Sequence, residues 1–323
     1  MQFLTPFIHA LVVISLAHTP FSNAANSPVL VELVPQAQSL ENLAIRRNGD
    51  ILTTSSTSSS LFLVSHSKTP AVLHEFPNLE ALLGIAEVED DIFYITGAAA
   101  ITAPNPSNEI WKIDLRGLQT SPDGSILTPP TVSLVANDTS GGLYNGITRL
   151  APNNTDSILL ADSFFGTYTR LDLATGNTII FQDRLFTVQN ETNRGIGING
   201  IHTYGENLYF TNTNQGIFGR VPISTTGAQT GRAEVIVDGF FRADDFALSA
   251  DGEKAWVAMN GPGVLVEVLI AERTSRVVAD SSLLGSASSV ARGRGWGGSN
   301  LYITTAQATG NSTVAGIVKL ALD

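Results

Sequence analysis

Four oxygen-bearing side chains stand at the starts of apolar, alternating stretches: Glu41 in ENLAI, Asn145 in YNGI, Asn199 in INGI and Asp245 of the pair Asp244-Asp245 in DDFAL. Carboxylates and amide carbonyls are the donors taken by a hard divalent cation such as Ca²⁺ or Mg²⁺. Zinc fits less well, because the chain has no Cys and no His-Glu-x-x-His spacing. Three residues after Asn199 comes His202; histidine is the side-chain type suited to proton transfer near neutral pH, so His202, Asp245 and Glu41 are candidates for acid and base work. Neither a Cys nor a Gly-x-Ser-x-Gly elbow supplies an activated nucleophile. The same residues also have structural uses. Asn-Gly forms turns, and an inner acid can pair with the neighbouring Arg242.

Those starts belong to a pattern that recurs six times, from Glu41, Leu82, Tyr144, Ile198, Asp244 and Ser288. Each copy is a run of short alternating stretches separated by turns such as NGD, ATGN and SADGE. A spacing of roughly 40 to 60 residues, with about four short strands per copy, is the signature of propeller blades. The expected fold is all-β, a six-bladed β-propeller over residues 25–323. VLVELV at Val29 to Val34 is expected to close the last blade, which removes exposed sheet edges. Stretches rich in Pro and Ser near Ala98 and Gln119 read as surface loops. In such a ring the innermost strands begin at one mouth of the central channel, so the repeat starts converge there. Tyr144, Phe164, Phe165, Phe240, Phe241, Phe246 and Trp296 are the candidate apolar surfaces for a ligand at that mouth.

With Lys+Arg 18 against Asp+Glu 29, the net charge is -11. That balance repels phosphate backbones and anionic membranes, and it leaves small apolar molecules as the expected partners. Residues 1–24 hold a short apolar run ending in small residues, the pattern of a secretory signal peptide. Asn137, Asn153, Asn190 and Asn311 each begin an Asn-x-Ser/Thr triplet, which fits glycosylation in a secreted or lumenal protein.

The placement of Glu41, YNGI, INGI and DDFALSADG resembles the SMP-30/gluconolactonase/LRE-like family of six-bladed propellers. The strings LLGIAEVEDDIFYI, SILLADSFFGTYTRLD, GINGIH and YFTNTNQGIFGRVPI are similar to a fungal branch that resembles the hetero-Diels–Alderases of tropolone-sesquiterpenoid pathways. The resemblance implies metal positions at Glu41, Asn145, Asn199 and Asp245. It differs where Asn-Leu follows Glu41 and where Phe246 stands in place of a small Gly, which crowds the mouth. Two enzyme readings follow from the resemblance. One is a hetero-Diels–Alder cycloaddition of a tropolone-derived ortho-quinone methide with a humulene-type alkene, needing no cofactor. The other is a lactonase using Ca²⁺ or Mg²⁺. A noncatalytic small-molecule-binding propeller is the third reading, since a fold does not fix a function.

Overall fold

The computed structural model describes residues 27–322 apart from 67, 104–105, 190–194, 295–296 and 310–311. The expected signal peptide, Trp296, Asn190 and Asn311 lie outside the described residues. Six four-stranded antiparallel sheets follow one another along the chain. The first comprises β2 (Leu43–Ile45), β3 (Ile51–Thr53), β4 (Ser60–Val64) and β5 (Ala71–Glu75). The second runs β6 (Ala81–Glu89), β7 (Ile92–Ala99), β8 (Ser107–Asp114) and β11 (Thr131–Asp138), with a small hairpin of β9 (Gln119–Thr120) and β10 (Ile126–Thr128) inserted before its outer strand. The third holds β12 (Tyr144–Arg149), β13 (Ser157–Asp162), β14 (Thr167–Asp172) and β15 (Thr178–Gln182). In the fourth lie β16 (Ile198–Tyr204), β17 (Asn207–Asn212), β18 (Ile217–Pro222) and β19 (Glu234–Val237). The fifth holds β20 (Ala243–Leu248), β21 (Lys254–Met259), β22 (Val264–Leu269) and β23 (Thr274–Asp280). The sixth is built from β24 (Val290–Arg292), β25 (Asn300–Thr309) and β26 (Ser312–Ala321), and β1 (Val29–Val34) pairs antiparallel with β26 as its outer strand. The six-bladed propeller and its N-terminal closing strand are therefore as expected. Among the described residues no helix is long and apolar enough to cross a membrane.

Strand alternation has an unusual reading here, because both faces of a middle strand are buried. In β13, Leu159 and Ala161 pack toward the fourth blade with Ile198 and Phe210, while Ile158 and Leu160 pack toward the second with Tyr94 and Ile110. The core is thus six slabs standing between neighbouring blades rather than one central mass. The outer strands alternate less and face water, as the exposed run of β15 shows.

Hydroxyl side chains fasten the blades near the channel. Thr96 Oγ1 accepts the Gly84 N–H at 2.8 Å and donates to the Asn145 carbonyl of the next blade at 3.2 Å. Thr54 and Thr211 repeat this between Asn42 and Leu83 and between Gly200 and Asp244. Thr304 closes the circle, accepting from Ser289 at 2.8 Å and donating to the Glu41 carbonyl at 3.0 Å. The inner strands are bulged at this level in four blades, between Leu82 and Ile85, Tyr144 and Ile147, Ile198 and Ile201, and Ala243 and Phe246. A bulge leaves backbone groups out of its own ladder, and the freed carbonyls of Leu83, Asn145 and Asp244 are the ones these hydroxyls take.

Candidate active site in the central channel

Ladder register and the threonine bonds align the inner strands residue by residue. One level of the channel holds Glu41, Leu83, Asn145, Asn199, Asp244 and Ser288. The next level holds Asn42, Gly84, Gly146, Gly200, Asp245 and Ser289. Below it lies an apolar level of Leu43, Ile85, Ile147, Ile201, Phe246 and Val290, followed by the level that carries His202.

This alignment corrects one expectation by a single residue. Asp244, not Asp245, is level with Asn145 and Asn199, because Ala243 pairs with Met259 and Phe246 with Val257 just as Ile198 pairs with Asn212 and Ile201 with Phe210. Asp245 takes the glycine position, and Phe246 occupies an apolar position rather than a small one. Phe246 does not crowd the entrance at the repeat starts. It is wholly buried in the slab between the fourth and fifth blades, edge-on to Phe218 at 5.0 Å.

The upper level is a dense polar knot. Asp244 accepts from Asn199 Nδ2 and from Asn260 Nδ2, both at 2.7 Å. Burial pushes its carboxyl well above the ordinary range, and the negative charge of Glu41 adds to the rise. Glu41 is buried beside it and is pushed up to about 7, first by burial and then by the charge of Asp245, against the hydrogen bond from Ser56. Asn145 Oδ1 is buried without a hydrogen-bond partner. Among the described residues no three His, Asp or Glu side chains converge to hold a metal, so a cation here would need the amide oxygens. The orphaned Asn145 oxygen and two carboxyls strained by mutual repulsion fit a hard divalent ion.

Asp245 links this knot to the other mouth. Its Oδ2 accepts from Ser289 Oγ at 2.9 Å and its Oδ1 lies 3.0 Å from His202 Nε2. The imidazole stands edge-on to Phe246 at 4.8 Å. His202 and Asp245 line a cavity of about 600 Å³ at the far ends of the inner strands. Leu43, Ile85, Phe246 and Val290 supply its apolar walls, and Arg149, Arg292 and Arg294 its rim. The three arginines carry no motif. The signal that finds two of them is an offset: Arg149 lies four residues after Asn145, and Arg292 four after Ser288.

Phe246 apart, the described aromatic candidates do not gather around His202. Tyr144, Phe164 and Phe165 border a separate cavity of about 450 Å³ against the third blade. Asp162 shapes that region by accepting the backbone N–H groups of Gly142, Leu143, Phe164 and Phe165 at 2.7 to 3.2 Å. Phe241 is 70% exposed with Arg242 over its ring, and Phe240 is buried beside it. Arg242 therefore leaves Asp244 to the two asparagines. Asn137 and Asn153 are exposed, as glycosylation would require.

A solved structure of regucalcin, a calcium-binding protein from Agrobacterium tumefaciens, superposes with a TM-score of 0.64 over 93% of this chain and 95% of that one, at 17% identity. A luciferin-regenerating enzyme superposes with a TM-score of 0.64 over 92% of this chain and 95% of that one, at 10% identity. The chain has the regucalcin-type six-bladed propeller fold. In sequence it is similar to a protein of Sarocladium schorii named "Putative hetero-Diels-Alderase asR5", at 24% identity over 235 residues. The match takes in 64% of this chain and 57% of the relative's length. No family model matches the chain. The resemblance to such propellers read from the sequence thus appears among the solved structures, and the resemblance to hetero-Diels–Alderases in the sequence relative.

Proposed function

We propose that the far-mouth cavity is an active site for cycloaddition of hetero-Diels–Alder type between two small, largely apolar molecules. The observation that carries this reading is the His202–Asp245 pair, 3.0 Å apart, set over the apolar level of Leu43, Ile85, Phe246 and Val290. Similarity to the Sarocladium protein supports the same reaction class. Holding two partners in contact is worth effective molarities of roughly 10⁵ to 10⁸ M, and the cavity walls provide that hold without a nucleophile.

His202 makes the diene. Asp245, anchored by Ser289, accepts the hydrogen on Nε2 and leaves Nδ1 as the ring's free base. Nδ1 takes the proton of a ring hydroxyl on a hydroxymethyl-bearing precursor. The imidazolium then returns a proton to the leaving hydroxyl as the C–O bond breaks and water departs, which forms a neutral ortho-quinone methide. Ring closure with a humulene-type alkene follows with no further proton transfer.

The test incubates purified protein with precursor and alkene and compares cycloadduct formation with the spontaneous rate. His202→Ala should lower the catalysed rate by about 10² to 10⁴, the usual contribution of a positioned proton-transfer group. Turnover unchanged in that variant, or no acceleration by the native protein, refutes the reading.

The orphaned Asn145 oxygen favours a second reading, a lactonase. Glu41, Asn145, Asn199 and Asp244 would hold a divalent cation, with Asp245 adjacent, and such a cation supplies polarisation of a lactone carbonyl. Chelator-sensitive lactone cleavage distinguishes it. The secretory route expected of residues 1–24 and the exposed Asn137 and Asn153 are part of the same proposal.

A further inference from the structure

We infer that the far-mouth cavity takes an organic anion: a molecule with an apolar body and a carboxylate or comparable acidic oxygen held by Arg149 and Arg292. This rests on the reading of that cavity as the substrate site and names the class of substrate. Three arginines line the cavity, yet among the described residues only one is neutralised. Arg294 donates to Glu87 and, at 3.0 Å, to the Ile45 carbonyl. Among the described residues Arg149 makes no ion pair and its side chain no hydrogen bond; its backbone pairs with Ile158 in the β12–β13 ladder, and its carbonyl accepts from Thr203 Oγ1 at 3.0 Å and Thr148 Oγ1 at 3.3 Å. Arg292 likewise forms no ion pair, and its Nε is buried with no partner. Its charge reaches the exposed Asp251 only as a minor contribution to holding that carboxyl below the ordinary range.

A buried guanidinium donor without an acceptor is costly, and planar forked donors suit carboxylates. The local carboxylates cannot serve. Asp245 is taken by His202 and Ser289, and Glu87 by Arg294 and by the Asp91 N–H at 3.0 Å. In a chain of net charge -11, two unpaired cations inside one concavity reverse the overall sign at that spot. The walls between the arginines and Asp245 are Leu43, Ile85, Phe246 and Val290, which reject an inorganic anion's hydration shell and accept an apolar body. The anionic end sits on the rim, and the reacting portion reaches inward to His202.

Calorimetric titration of the full chain with benzoate, its neutral counterpart benzamide and inorganic sulfate tests the inference. Benzoate should bind about tenfold or more tightly than benzamide, as expected for a hydrogen-bonded charge, and its affinity should fall with added salt. Sulfate should bind weakly. Arg149→Gln and Arg292→Gln should each weaken benzoate about tenfold, and Arg292→Lys by less. Glu87→Gln should tighten it by releasing Arg294. Melting temperatures identify variants that fail to fold, and the charge-retaining Lys variant keeps the test decisive in that case. Equal binding of benzoate and benzamide, or full benzoate affinity in both Gln variants, overturns the inference. Tight sulfate binding overturns the organic part of it. Arginine-dependent benzoate binding without any cycloadduct from the native protein keeps the anion site and removes the proposed reaction.

Discussion

Replacing Glu41 by Gln should make the protein less sensitive to a rise from acid to neutral pH. The Glu41 carboxyl is raised from its ordinary 4.5 to about 7 by burial and by the charge of Asp245. Below pH 4.5 it is protonated in folded and unfolded chains alike. Between pH 4.5 and about 7 the unfolded chain releases the proton while the folded chain keeps it, so folding stability falls as pH rises through that window. At about 1.4 kcal/mol for each pH unit, the interval is worth on the order of 3 kcal/mol. Gln holds no proton to lose and fits the same space, and it also removes one cause of the rise at Asp244. For a domain of roughly 300 residues, with an unfolding entropy near 2.1 cal/mol/K per residue, this corresponds to about 5 °C. Thermal unfolding of both proteins from pH 4 to pH 8 should therefore show the variant gaining about 5 °C on the native chain across the series. A difference that stays constant with pH would refute the placement of Glu41 as a buried, repelled carboxyl. Added Ca²⁺ at pH 8 should raise the native melting temperature and leave the variant's unchanged if the upper level holds a cation.

Two further changes probe the packing that holds the channel and the separate third-blade cavity in shape. Gly200→Ala would place a Cβ 2.3 Å from Asp245 Oδ1 and 2.7 Å from its Cα, so the fourth and fifth blades must part; the expected cost is about 1 to 3 kcal/mol in urea unfolding, together with lost cyclisation, and a native midpoint would refute it. Asp162→Asn turns an amide toward four backbone donors, so a loss on the order of 3 kcal/mol is expected, and an unchanged urea midpoint would show that those bonds do little.

The ring was legible because its evidence is periodic. Six copies with their turns, and an unpaired apolar strand ahead of them, leave little choice of architecture. Asn145 and Asn199 were legible for the same reason, since the same Asn-Gly-Ile string occurs in consecutive blades. The fifth blade breaks that string: in DDFAL either acid can stand under Asn199, and only the ladder shows Asp244 there and Asp245 in the glycine's place. Phe246 was misplaced by the same one-residue step, which in a strand exchanges opposite faces. Aromatic residues near repeat starts were a poor guide to the cavity, because the slabs between blades bury large side chains wherever two sheets face each other. The arginines escaped notice because they lie at the ends of inner strands, where sequence offers no motif and only the channel makes them neighbours.

The pairing of β1 with β26 sets Val29 opposite Lys319. A growing chain emerges from the ribosome N-terminus first, so β1 must wait, without its partner, through the synthesis of five complete blades. Contacts so distant along the chain are slow to form, and until the last hairpin arrives the waiting strand is free to pair with a neighbouring molecule. Successful maturation of this protein therefore depends on how well that early segment is shielded in the interval, a demand set by circular closure and independent of any chemistry in the channel.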